Sequence, residues 1–176
     1  VTDGSRPAGD KVRIGRAGKA HGSNGRLYLE TPDFPDVVHL GSVLWILGEE
    51  RKVIATGGMP GRPLVRLEGV LDRPAAVALK DTPVWAVRDD LPALGDNEWY
   101  GSDLEGMVVT GDDETPLGHV VTLVRAPSVD VIEVRLDDGG ELLVPVNDDA
   151  LKSVDLERRR ITVDRRFLGL EDDGAQ

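Results

Sequence analysis

Apolar and polar positions alternate in short runs for most of this chain, and the period of two predicts strands. Lys11–Ala17 alternates charged with small or apolar residues, and Arg26–Glu30 alternates again, so the two read as strands joined by the glycine-rich connection Gly18–Gly25. Residues 31–36 contain two prolines, which remove donors and restrict their predecessors, and read as a loop. Val43–Leu47 and Arg51–Thr56 predict a hairpin across residues 48–50, and Pro63–Leu67 a further strand.

One segment departs from the period of two. Asp72 stands where an N-cap belongs, Pro74 falls in the first turn, and strong helix formers follow to Lys80. This predicts a short helix with Val77, Ala76 and the stem of Lys80 turned inward, halted by Asp81–Pro83. Val84–Val87 then predicts a closing strand.

The second half repeats the alternation. Gly106–Thr110 and Leu117–Val124 predict strands around the polar turn 111–115. Val129–Leu136 and Glu141–Val146 flank Asp137-Asp-Gly-Gly140, a strong hairpin signal. Asp148–Lys152 predicts one helical turn, with strands at Val154–Leu156 and Arg160–Asp164. Short strands at near-regular spacing point to small closed or half-closed barrels. The fold expected is mainly β: two small β-barrel domains, 11–88 and 98–170, joined by a linker at 89–97 that holds Pro92 and Gly95. Residues 1–10 and 171–176 read as disordered tails.

Charge sharpens this division. The net charge of −11 is unevenly spread: Val1–Arg88 carries 13 basic and 10 acidic residues, and Asp89–Gln176 carries 8 and 22. The acidic half repels a phosphate backbone and suits a cationic polypeptide, so any nucleic-acid contact falls to the first half. There Lys11, Arg13, Arg16, Lys19, His21, Gly22 and Arg26 form the candidate RNA-contact set, with no acid between Lys11 and Leu29. Gly18, Gly22 and Gly25 would allow close backbone approach. The plainer alternative is a solvated β face.

Other chemistry finds little support. With no cysteine there are no disulfides, thiolate nucleophiles or cysteine zinc sites, which suits a reducing cytoplasm. The longest apolar runs fall well short of the ~20 residues of a membrane span, and the first ten residues lack the pattern of a signal peptide. His21, His39 and His119 have no ligand spacing, and Gly15–Ala20 lacks the spacing of a phosphate loop. Asp112, Asp113 and Glu114 read as solvated turn acids. No cofactor, metal or catalytic site is expected.

Several segments carry a family pattern. VRIGRAGKAHGSNGRLYLETPDFP and LVRLEGVLDRPAAVALKDTPVWA resemble the N-terminal domain of the RimM family. NEWYGSDLEGMVV, then PLGHVVTL and ELLVPVNDDALKSVDLERRRITV, resemble its PRC-barrel domain. The likeness runs from about Val12 to Leu170, with departures at Val77, usually an acid, at Val146-Asn147 and at Trp99-Tyr100, more often Tyr-Tyr. It implies a non-enzymatic ribosome maturation factor. Such proteins assist late assembly of the small-subunit head by binding a basic ribosomal protein of that head near immature rRNA. It places Trp99 and Tyr100 at the partner-binding region, and Asp103 and Leu104 adjoin them. If Trp99 and Tyr100 lie on a strand, they point to opposite faces and only one is buried. Asp103 and Leu104 also suit structural roles, turning the chain into the barrel and filling it. A monomer in the cytoplasm, with no membrane partner, completes the expectation. A PRC-type adaptor with a non-ribosomal protein partner is the alternative, since a fold does not dictate its partners.

Overall fold

The structure is a computed structural model that describes residues 7, 9–95 and 98–170. The chain forms two compact units, Val1–Leu94 and Gly95–Gln176. The expected tails fall largely outside the described residues, but Asp10 does not: its carboxylate pairs with Arg88 at 2.7 Å and its carbonyl accepts from the Arg88 N–H at 3.0 Å.

The first unit contains β1 (Lys11–His21), β2 (Arg26–Glu30), β3 (Val43–Ile46), β4 (Glu49–Met59), β5 (Arg62–Leu67), α1 (Arg73–Ala78) and β6 (Pro83–Val87). The strands close into a barrel in the order β1-β2-β5-β4-β3-β6, with β6 returning to β1. Alternation sets its inside: Val12, Ile14, Leu27, Leu29, Leu44, Ile46, Val53, Val65, Leu67 and Val84 are at most 2% exposed. Each such side chain stabilises the barrel by roughly 1.5–3 kcal/mol relative to exposure. Closure also removes the free edges that an open sheet would present.

Two strands differ from expectation. β1 runs on to His21, so Gly18–His21 is strand and the connection shrinks to residues 22–25. The sequence period is obscured because β1 carries two irregularities, between Arg13 and Gly15 against β6 and between Ala17 and Ala20 against β2. Such bulges bend a strand at a barrel corner and re-aim its side chains. The β3–β4 hairpin turns on Leu47 and Gly48, both at positive φ, so β4 begins at Glu49, earlier than expected.

The helix forms where expected. The Asp72 carboxylate accepts from the Ala75 N–H at 2.9 Å, and Asp81, at φ 64, turns the chain away after its end. Its inward face is another matter. Ala76 and Leu79, one turn apart, are 0% and 3% exposed, while Val77 is 49% exposed, a helical step of about 100° from that face.

The second unit contains α2 (Gly101–Leu104), β7 (Val108–Gly111), β8 (Pro116–Val124), β9 (Val131–Leu136), β10 (Glu141–Pro145), β11 (Leu151–Asp155) and β12 (Arg160–Val163). The sheet order is β10-β9-β8-β7-β12-β11, antiparallel except for β12 against β7. β10 and β11 are its two edges, the half-closed form of a barrel. Leu104, Met107, Val109, Val120, Ile132, Val134, Val144, Ala150, Ile161 and Val163 make the core. The expected helical turn near Asp148 ends sooner: the Asn147 side chain accepts from the Ala150 N–H at 2.9 Å, and Leu151 already starts β11.

The polar turn before β8 is not merely solvated. The Asp113 carboxylate accepts from the Thr115 N–H at 3.0 Å and pairs with Arg165 at 2.5 Å. These contacts, the Thr115 backbone bond foremost, hold its pKa down from 3.8 to about 2. A depressed carboxyl pKa contributes stability above its ordinary value, and that contribution is lost as pH falls through the folded value. Asp113→Asn is therefore expected to be less stable than the parent at neutral pH, with the difference closing between pH ~4 and ~2. Urea unfolding at a series of pH values checks this; a gap that stays constant down to pH ~2 contradicts it.

Candidate functional site

Local pairing decides where each cation of the first unit lies. The seven residues of the candidate RNA-contact set do not form one patch. Lys11 and Arg13 pair with Val87 and Trp85 on β6. The Lys11 ammonium lies 4.4 Å over the Trp45 ring, and Trp45 sits directly opposite Trp85. Such a contact holds the cation against an apolar surface. Arg16 is engaged differently, paired with Glu30 through two nitrogens at 2.7 Å.

Lys19, His21 and Arg26 belong to the outer face of β1, β2 and β5 and are exposed. His21 meets Tyr28 edge to face, with ring centroids 5.6 Å apart. Gly22 lies in the exposed turn beside them at φ 68, its carbonyl accepting from Arg73 at 3.2 Å. β5 adds Arg62, whose guanidinium lies 4.7 Å over the Tyr28 ring, and Arg66, directly opposite Arg26. Sequence reading did not include Arg62 and Arg66, since they lie some forty residues further along and only pairing brings them to β2.

Of the three glycines expected to admit a ligand, two serve the fold. A Cβ on Gly25 would lie 2.1 Å from the Val70 carbonyl oxygen, and one on Gly18 would lie 3.2 Å from that of Tyr28. Only Gly22 faces open space apart from Asn24, 3.7 Å away.

In the second unit the four candidate partner-contact residues also divide. Trp99 and Tyr100 lie in irregular chain just before α2, not on a strand. Tyr100, Asp103 and Leu104 are 4%, 7% and 0% exposed, so they hold the fold and offer no surface for direct contact. Their burial follows from α2, which packs against β8 and brings Leu104 into the core. Trp99 is half-buried, and its carbonyl accepts from Arg125 at 2.9 Å. Arg125 pairs in turn with Asp130, which fixes this stretch of chain.

Trp99 lines a groove of about 220 Å³ together with Val146, Leu151, Val154, Asp148 and Lys152. The groove joins the chain leaving edge strand β10 to edge strand β11, so an indole and aliphatic side chains lie beside a sheet edge. Lys152 is tied to Asp164 at 3.0 Å, which leaves Asp148 as the other charge on its rim. A half-buried tryptophan at a groove of mixed polar and apolar lining is the kind of anchor that dominates protein interfaces. A sheet edge adds unpaired backbone groups that an extended segment can meet.

A second cavity, of about 280 Å³, lies in the first unit and is lined by Asp33, Phe34, Asp36, His39 and Asp90 among others. These groups do not converge on a metal position: among the described residues no three His, Cys, Asp or Glu side chains could hold one ion. No helix among the described residues is long and apolar enough to cross a membrane.

Residues 101–166 match the family model for the RimM PRC barrel domain. The protein named ribosome maturation factor RimM of Paramagnetospirillum magneticum is 32% identical over 158 residues, 88% of this chain and 90% of that one. Its namesake in Streptomyces avermitilis is 32% identical over 170 residues, covering 93% and 90%. A crystal structure of a RimM protein of Pseudomonas aeruginosa covers 88% of this chain and 97% of its own at 22% identity, with a TM-score of 0.41. The two sequence relatives span both units and, with the PRC barrel match, establish that this chain belongs to the RimM family.

Proposed function

We propose that the chain is a cytoplasmic ribosome maturation factor. It assists late assembly of the small-subunit head, and processing of its rRNA, by binding rather than by catalysis. In this reading the second unit receives a basic ribosomal protein of the head, and the first unit lies against immature rRNA. Relatives of similar length carry the name ribosome maturation factor, which supports the general role.

The observation that carries the finer reading is the Trp99 groove at the edge of the β10–β11 sheet, within the half of the chain that holds 22 acidic and 8 basic residues. The field of such a unit steers a cationic polypeptide towards it, and the indole gives that polypeptide an apolar anchor. The same field turns phosphate away, which leaves rRNA to the first unit. Binding as a monomer suits a factor that must leave once the head has folded.

Sedimentation of a tagged chain from growing cells tests this. The expected result is co-migration with small-subunit precursors that still carry unprocessed rRNA. Recovery with mature subunits to the same extent, or only with slow-sedimenting proteins at low salt, contradicts it.

A further inference from the structure

We propose that the outer face of β1, β2 and β5 is a single-stranded RNA platform on which Arg62, held over the Tyr28 ring, stacks an unpaired base while Lys19, Arg26 and Arg66 take the flanking phosphates. This deepens the proposed contact with immature rRNA and rests on that reading for the biological source of the RNA.

Four observations point the same way. First, Tyr28 and Arg62 are already assembled: the guanidinium lies 4.7 Å over the ring, and His21 braces the ring from the side at 5.6 Å. Arg62 is itself exposed on this face. Bases stack on guanidinium planes as they do on aromatic rings.

Second, Arg26 and Arg66 are directly opposite each other on β2 and β5. Like charges at such a position destabilise a sheet. Among the described residues no carboxylate pairs with Lys19, Arg26 or Arg66, and the covered Arg66 Nε has no hydrogen-bond partner. A bound anion would relieve the repulsion.

Third, the one acid aligned on the β2 outer face, Glu30, is already occupied by Arg16. The remaining charge on that face is positive. Fourth, the turn beside the platform is open at Gly22 and is flanked by Arg73, so a strand leaving the face meets another cation and no side-chain bulk.

A backbone with negative charge at regular spacing and flat, unpaired bases satisfies all four. An acidic peptide satisfies the charges but gives no reason for a guanidinium set over a tyrosine ring. Duplex RNA hides its base faces, so single strands are the better fit.

The test uses the full chain and a labelled ten-nucleotide oligouridylate, with binding read by anisotropy across a salt series. About three phosphate contacts give a slope of log affinity on log salt near −2. Arg62→Lys keeps the charge and loses the flat stacking surface, and it is expected to weaken binding about tenfold. Lys19→Gln is expected to weaken binding modestly and to make the salt slope shallower by about 0.7.

No binding by the parent, or Arg62→Lys binding as well as the parent, overturns the platform. So does polyglutamate competing as well as the oligonucleotide, which would mark the face as a protein-binding one. Capture of precursor particles by the same variants separates the two readings. Capture that persists while oligonucleotide binding fails removes the platform and leaves the maturation role standing. Oligonucleotide binding without particle capture removes the maturation role alone.

Discussion

Replacing Trp99 by alanine is expected to weaken binding of the basic partner about thirtyfold or more and to lower the melting temperature less than truncation of its neighbour Tyr100 does. The indole is half-buried at the margin of the core and lines the groove with Val146, Leu151 and Val154, so its truncation removes an anchor at a smaller cost to the fold than the loss of a fully buried ring. Tyr100→Ala is expected to do the reverse. Tyr100 is 4% exposed, and cutting back so large a buried side chain costs about 3–5 kcal/mol. Any loss of affinity in that variant then follows the loss of folded protein. The two adjacent aromatics are thereby separable, which a double replacement would hide. Calorimetry against the ribosomal protein recovered with the particles measures affinity, and thermal unfolding measures the fold. Unchanged affinity in Trp99→Ala removes the groove as the interface.

Gly25→Ala is the second large effect, and it concerns the frame of the platform. Gly25 has φ 75, and an added Cβ would stand 2.1 Å from the Val70 carbonyl oxygen and 2.8 Å from its carbon. Both obstacles are backbone, in the stretch that leads into α1, so no side chain can turn aside. Left-handed strain alone costs about 1–2 kcal/mol. The clash forces the β1–β2 turn away from that stretch, and the total is expected to exceed ~3 kcal/mol. Gly22→Ala is the matched control: φ is 68, and its Cβ would have only the Asn24 side chain nearby, at 3.7 Å. It should lose no more than the left-handed strain. Hydrogen exchange of the β1 and β2 amides in the full chain separates the two. Equal protection in both variants contradicts the assignment of Gly25 to close packing.

The parts of the fold that the sequence revealed are those built from local signals. Asp137–Gly140 announced the β9–β10 hairpin, and Leu136 and Gly140 are joined there by an N–H···O bond of 2.9 Å. Asp72 and Pro74 announced α1. What the pattern concealed arises from pairing at a distance. The two bulges of β1 broke the period of two and made its second half look like loop. The parallel contact of β12 with β7 joins segments about fifty residues apart and leaves no local mark.

The candidate sites show the same divide. The cationic run of β1 was plain in the sequence, yet the barrel sends Lys11 to Trp45, Arg16 to Glu30, and Lys19 and His21 to the face that Arg62 and Arg66 complete. Side by side in the chain, Trp99 and Tyr100 differ in exposure because α2 starts one residue later and turns Tyr100 inward. Of the helix residues expected inside, Ala76 is buried, whereas Val77 and Lys80 are exposed and Leu79 completes the buried face.

The most direct measurement is a cryo-EM map of the particle that the tagged chain retrieves from growing cells. The expected map shows an immature small-subunit head with a basic ribosomal protein seated on the Trp99 groove. A map in which that groove faces solvent, or in which the chain sits on a finished subunit, contradicts the account.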